Sequence, residues 1–78
     1  MIKNIEIIKE ILELDLSVVD KISENTGLED YNWDSLAMVN LITLISSDYD
    51  IEIEFDQFDE IETFGQLDKI ITSIIINK

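Results

Sequence analysis

Residues 32–42 read N-W-D-S-L-A-M-V-N-L-I, and this stretch predicts the central helix of the protein. Asp34 suits the helix N-cap, where a carboxylate accepts hydrogen bonds from the free amides of the first turn. Trp33 and Met38 occupy the two positions of a hydrophobic staple around that cap. The apolar periodicity continues beyond the quoted residues, so we predict a helix from Ser35 to about Tyr49.

The sequence before this stretch predicts one further helix and a long loop. From Ile2 to Leu14, polar and apolar residues separate onto two faces at about 100° per residue, which is typical of an amphipathic helix. Residues Asp15 to Asp34 are rich in turn-forming residues, and a loop of this length in a small domain is usually functional. We expect it to be ordered, to include a short turn of helix, and to be held to the core by its apolar side chains, Leu16, Val18, Val19, Ile22 and Leu28.

The sequence after the central helix predicts a connector and two more helices. Residues Asp50 to Phe55 alternate like a strand, but they have no second strand to pair with, so we expect an extended connector. Residues Asp56 to Ile61 are predicted to form a short third helix. Thr63 and Gln66 have capping-box spacing and open the last helix, whose buried side is predicted to be Phe64, Leu67, Ile71, Ile74 and Ile75. The expected fold is therefore an all-α four-helix bundle, with residues 1–78 forming a single domain.

The composition restricts the partners of the protein. Its 78 residues include 18 acids and 5 lysines, which give a formal net charge of -13. So much negative charge repels nucleic acid and anionic lipid, favours partners with basic surfaces, and discourages self-association, so we expect a monomer. The sequence shows no secretory signal, no apolar run long enough to span a membrane, and no cysteine, and we expect a cytoplasmic protein.

Ser35 stands at the entrance of the central helix in a chain with no histidine and no cysteine. A serine nucleophile needs a neighbouring base, and none of the lysines lies near Ser35 in the sequence. We therefore do not expect a hydrolase that uses Ser35. Any chemistry at this hydroxyl must be installed by another enzyme.

Three segments resemble acyl carrier proteins. W-D-S-L-A-M-V-N-L-I is similar to the second helix of that family, T-F-G-Q-L-D-K-I-I at residues 63–71 is similar to the start of its fourth, and the loop containing Gly27-Leu28-Glu29-Asp30 resembles its long first loop. The resemblance covers nearly the whole chain and implies an acyl-carrier-like four-helix bundle that is not an enzyme. It implies that a phosphopantetheinyl transferase attaches the 4'-phosphopantetheine arm of coenzyme A to Ser35, and that acyl or aminoacyl cargo then travels as a thioester between loading and transfer enzymes.

The resemblance also implies a docking surface around Ser35. On the helical wheel, Leu36 lies opposite the apolar side of the helix, which centres on Met38, Ile42, Ile45 and Tyr49. Leu36 matches the leucine with which the family contacts its partner enzymes. Asp34 matches the aspartate that helps to present the serine, and Asn40 takes an outward position on the same helix. We therefore expect Asp34, Leu36 and Asn40 to contact partners.

The chain departs from the family in its charge pattern. Many carriers of fatty-acid synthesis display acids along the second helix, but residues 35–47 carry no charge here, and the matching outward positions are Ala37, Asn40 and Ser47. The acids lie instead in residues 48–62, either as a solvated face or as a surface that steers basic partners. This departure argues against the housekeeping role in fatty-acid synthesis and favours a dedicated carrier of a specialised pathway with a hydroxy-acyl, amino-acyl or short acyl cargo. The sequence leaves open whether that pathway is of the fatty-acid or the polyketide type.

Two other hypotheses remain for this sequence. The first is an acidic helical module that binds basic partners non-covalently and has an unused D-S-L site. The second is a calcium loop, because four acids alternate like its first ligands, Asp48, Asp50, Glu52 and Glu54. However, Ile53 stands where a glycine is needed, and Asp59 rather than a glutamate closes the span, so we expect no metal site.

Overall fold

The computed structural model of the protein describes residues 2–76, and the regular structure within that range is helical. It contains four α-helices, α1 (Ile5–Leu12), α2 (Leu16–Val19), α3 (Ser35–Tyr49) and α4 (Phe64–Ile76), and two 3₁₀ turns, Glu29–Tyr31 and Phe55–Phe58. The predicted all-α class and four-helix architecture are confirmed. No helix in the described range is long and apolar enough to cross a membrane.

Helix α1 is shorter at both ends than the predicted range of residues 2–14. It begins after Asn4 because the backbone amides of Lys3 and Asn4 donate to the side chain of Asp68 in α4, at 3.0 Å and 2.8 Å. It ends at Leu12, because the next residue, the C-cap Glu13, has a φ of 54° in the left-handed region. Ile8 and Leu12 form its buried side.

The long loop between α1 and α3 is ordered, and α2 is the short helical turn that we expected. Of its predicted anchors, Leu28 is fully buried and Ile22 packs against the core. The prediction for Leu16 is wrong, because its side chain is 69% exposed. Only a four-residue helix carries this leucine, and no neighbouring element covers it within the described residues.

The far end of the loop is clasped to the start of α4 by backbone hydrogen bonds. Leu28 N donates to Glu62 O at 2.9 Å, Phe64 N donates to Thr26 O at 3.0 Å, and Gly65 N donates to Glu24 O at 2.9 Å. We call residues 24–28 and 62–65 the clasp. A Cβ at Gly65 would lie 2.7 Å from Glu24 O, so the close approach requires glycine.

Helix α3 has the predicted bounds, but its buried surface differs from the predicted one. Its buried residues are Ala37, Leu41, Ile42 and Ile45, and the prediction that Ala37 faces outward is wrong. Helix α3 packs against α1 and against the second 3₁₀ turn, so its buried surface covers more than one face.

The segment after α3 is the extended connector that we predicted, and Ile53 anchors it in the core. The predicted third helix over residues 56–61 is instead the 3₁₀ turn Phe55–Phe58. The turn begins one residue earlier because Gln57 N donates to Glu54 O, and Phe58 is fully buried beneath it.

Helix α4 begins with the predicted capping box. Gln66 N donates to Thr63 Oγ1 at 3.3 Å, and Thr63 N donates to Gln66 Oε1 at 3.2 Å. The predicted buried side is largely correct, since Phe64, Leu67 and Ile71 are buried, and Ile74 and Ile75 pack at its margin.

Candidate functional site at the start of helix α3

Ser35 is the first residue of α3, and its side chain is exposed to solvent. Asp34 precedes it as the N-cap in an extended conformation, and its Oδ1 accepts a hydrogen bond from Ala37 N at 2.9 Å. Met38 N donates to the carbonyl of Asp34 at 3.0 Å. The predicted cap is therefore present, and it leaves the Ser35 hydroxyl accessible to an external catalyst.

Two aromatic contacts hold the backbone that leads to Ser35. The ring of Tyr31 meets Phe64 edge-on, with centroids 5.3 Å apart and planes at 77°. The ring of Trp33 lies against Phe58, with centroids 6.4 Å apart. Because Phe58 and Phe64 are both fully buried, these contacts fix the approach to Ser35 relative to the core.

Asn32 lets the chain turn between these two anchors. It ends the first 3₁₀ turn with a φ of 66° and a ψ of 28°, in the left-handed region. Asparagine adopts this conformation more readily than most residues other than glycine. The turn then places Trp33 and Asp34 immediately before the helix.

The start of α3 can accommodate a phosphate ester on Ser35. The first amides of a helix have no acceptor within the helix, and the helix dipole favours an anion at this end. Asp34 accepts from Ala37 N, whereas the amides of Ser35 and Leu36 have no hydrogen-bond acceptor within residues 2–76. The carboxylate of Asp34 opposes the anion, but the exposed position of the site lets solvent screen that repulsion.

The chain has no histidine and no cysteine, so neither of these side chains is available to activate Ser35. Among the residues that the structure describes, no group of three or more histidine, cysteine or acidic side chains is arranged to hold a metal ion. The acids that alternate after α3 therefore do not converge into a calcium site in this part of the chain.

The three predicted docking residues all lie on the surface beside Ser35. Asp34 and Asn40 are exposed, and Leu36 is 67% exposed. The structure adds Val39, which is 41% exposed and lies at the edge of the apolar side of the helical wheel, about 90° from its centre. We call the uncharged exposed side of α3 the neutral strip, which consists of Leu36, Val39, Asn40, Thr43 and Ser47.

The acidic residues of 48–62 are all exposed. They follow α3 directly and surround the second 3₁₀ turn, where Phe55 is also 54% exposed. We call this part of the chain the acidic segment. The molecule thus presents an uncharged strip next to Ser35 and a strongly negative surface beyond the other end of the same helix.

Comparison with known families identifies the chain over most of its length. The family model described as "Phosphopantetheine attachment site" matches residues 5–69, a range that contains Ser35, the clasp and the acidic segment. No curated protein sequence matches the chain significantly.

Proposed function

The chain belongs to the phosphopantetheine attachment-site family, and from this premise we propose that Ser35 is the residue that carries the arm. The protein is a phosphopantetheine-bearing carrier, and it is not itself a catalyst. When bound, the arm supplies a terminal thiol that holds cargo as a thioester. Its general partners are a phosphopantetheinyl transferase and the enzymes that load and unload the cargo.

The observation that carries the assignment is the exposed hydroxyl of Ser35 at the start of a fifteen-residue helix. Because the chain has no histidine, the transferase must supply the base that activates Ser35. The hydroxyl must then be accessible from solvent, and Ser35 is exposed. Asp34 holds Ser35 in this position by capping the helix, because the cap fixes the backbone of the first turn.

The attachment is a substitution at phosphorus. Ser35 Oγ forms the new phosphodiester bond while the pyrophosphate bond of coenzyme A breaks and adenosine bisphosphate leaves. The hydroxyl proton passes to a base of the transferase, since this chain provides no histidine. Once the ester has formed, the amides at the start of α3 and the helix dipole stabilise its negative charge.

Partner enzymes dock, in this proposal, on the neutral strip, with Asp34, Leu36 and Asn40 as contacts. Leu36 and Val39 provide an apolar contact beside Ser35. The acidic segment lies outside this contact and accelerates association with basic partners through long-range attraction. Partner enzymes that bind acidic side chains along the helix would find none on the neutral strip. The strip therefore favours other partners, and this supports a specialised pathway.

Intact-mass analysis tests the attachment site. The protein is incubated with coenzyme A and a promiscuous phosphopantetheinyl transferase, and we expect the mass to rise by one arm. Ser35→Ala should remain unchanged, while Ser47→Ala, which removes an exposed serine from the same helix, should still accept the arm. No added mass in the unaltered protein would instead favour the non-covalent interaction module, and an arm on Ser35→Ala would place the attachment elsewhere.

A pair of charge substitutions tests the docking surface. Leu36→Glu should slow arm transfer by about tenfold or more, because loss of an apolar anchor at the centre of a contact commonly costs at least that factor. Ser47→Glu adds the same charge to the same strip three turns away and should have a much smaller effect. Equal rates for the two variants would remove Leu36 from the docking surface. Circular dichroism should show that both variants remain folded.

A further inference from the structure

Two aromatic rings pack against each other next to the start of α3. Trp33 precedes Ser35 by two residues, and its ring lies against Phe58 at a centroid distance of 6.4 Å. Phe58 is only 1% exposed and belongs to the core. A chain attached at Ser35 would have to displace these rings before it reached apolar surroundings on this side.

The interior behind these rings is lined by large apolar side chains. Its largest side chains are at most 1% exposed, namely Phe58, Phe64, Ile8, Leu28, Leu41, Ile45, Leu67 and Ile71. An open groove of about 500 Å³ lies between residues 27–29 and 61–63, and Trp33, two residues before Ser35, also lines it. Glu29 and Glu62 contribute to its walls. An alkyl chain in this groove would therefore contact carboxylates and water, which is unfavourable.

We infer that this carrier holds its cargo outside the bundle, so that its cargo class is short or polar acyl groups rather than long alkyl chains. The inference rests on the proposed attachment at Ser35. A long alkyl chain outside the bundle would remain in water, and each of its methylene groups would be unfavourably hydrated. Short, hydroxylated or amino-bearing acyl groups do not have this disadvantage.

A series of loaded proteins tests the inference. The same transferase is supplied with acetyl-, butyryl-, octanoyl- and dodecanoyl-coenzyme A, so that each acyl arm is attached in one step and verified by mass. We expect the melting temperature to be the same along the series, and the rate of thioester hydrolysis to equal that of the same acyl-coenzyme A in free solution. Burial of successive methylene groups would instead raise the melting temperature by several degrees for each pair of carbons and slow the hydrolysis.

Two phenylalanines of the second 3₁₀ turn give a matched pair of variants. Phe58→Ala removes a buried ring beside Trp33, and the apolar space that it leaves should admit an alkyl chain, as engineered cavities admit apolar ligands. In this variant the melting temperature should rise with acyl length. Phe55→Ala removes the 54% exposed ring of the same turn and should leave the melting temperature independent of acyl length. Phe58→Leu replaces Phe58→Ala if the alanine variant does not fold.

The outcomes separate this inference from the proposed function. Attachment of the arm together with a melting temperature that rises with chain length in the unaltered protein would overturn the inference and leave the carrier site intact. The absence of any added mass would overturn both. A melting temperature independent of acyl length in the folded Phe58 variant would show that Phe58 does not close the interior.

Discussion

Replacing Asp68 by asparagine should lower the free energy of unfolding by about 2 kcal/mol, because this buried carboxylate joins α4 to the start of α1. Asp68 is 7% exposed. Its Oδ2 accepts from Lys3 N at 3.0 Å, and its Oδ1 accepts from Asn4 N at 2.8 Å and from Asn4 Nδ2 at 2.7 Å. The Asn4 amide also donates to Thr72 Oγ1 at 2.9 Å, so the contact extends along α4.

The magnitude follows from what asparagine can and cannot replace. An asparagine at position 68 can keep an oxygen towards Asn4, but its amino group would face the Lys3 amide, which is also a donor. One charge-assisted hydrogen bond is then lost outright and two are weakened, and bonds to charged groups contribute about 1.5–3 kcal/mol each. Asp68→Ala removes all three and should cost about 4.5 kcal/mol or more, a large part of the ~4–12 kcal/mol expected for a domain of this length.

Thermal and urea unfolding, followed by circular dichroism, measure this effect. A loss of about 2 kcal/mol should lower the melting temperature by about 8–16 °C in a domain of this size. Asp59→Asn is the matched control, because it makes the same change of charge at an exposed residue and should be nearly neutral. If the free energies of unfolding of Asp68→Asn and Asp59→Asn differ by less than about 0.5 kcal/mol, the Asp68 carboxylate does not stabilise the contact between α1 and α4.

Three further measurements address other parts of the fold. Gly65→Ala should lower the free energy of unfolding in urea by about 1–3 kcal/mol, because its Cβ would meet Glu24 O at 2.7 Å. Gly27→Ala, whose Cβ would lie 3.9 Å from its nearest atom, should be neutral or slightly stabilising. Equal losses in the two variants would contradict the clasp geometry. Asn32→Val should cost about 1–2 kcal/mol because of its φ of 66°, and Asn32→Gly should change thermal stability little; a stable valine variant would contradict the left-handed turn. The melting temperature should rise with ionic strength, since salt screens the repulsion within a chain of charge -13; a flat or falling dependence in a calorimetric salt series would contradict this.

The features that local rules determine could be predicted from the sequence. The bounds of α3, the cap at Asp34 and the capping box of Thr63 and Gln66 all depend on residues within one helical turn of each other. The connector after α3 was predictable for a related reason, since a lone alternating segment has nothing to pair with. The exposure of Leu36 followed from helical periodicity alone.

The features that depend on neighbouring elements could not be predicted. Asp68 reads as an ordinary helix acid in the sequence, and its hydrogen-bond partners at the N-terminus of α1 lie more than sixty residues away along the chain. Ala37 is buried because α3 has neighbours on two sides, and Leu16 is exposed because it has none. One signal was available for Asp68, since it lies between Phe64 and Ile71 at helical spacing on the buried side of α4.

The position of Trp33 also makes it an intrinsic fluorescent probe of the site. It is the only tryptophan of the chain, it lies two residues before Ser35, and its ring is half-buried against Phe58. Fluorescence excited selectively in the indole ring therefore reports on this single position. Its emission wavelength and intensity depend on the solvent exposure of the ring. The fluorescence can therefore follow three events in real time without an attached dye: attachment of the prosthetic group, binding of a partner enzyme, and insertion of an alkyl chain beside the ring.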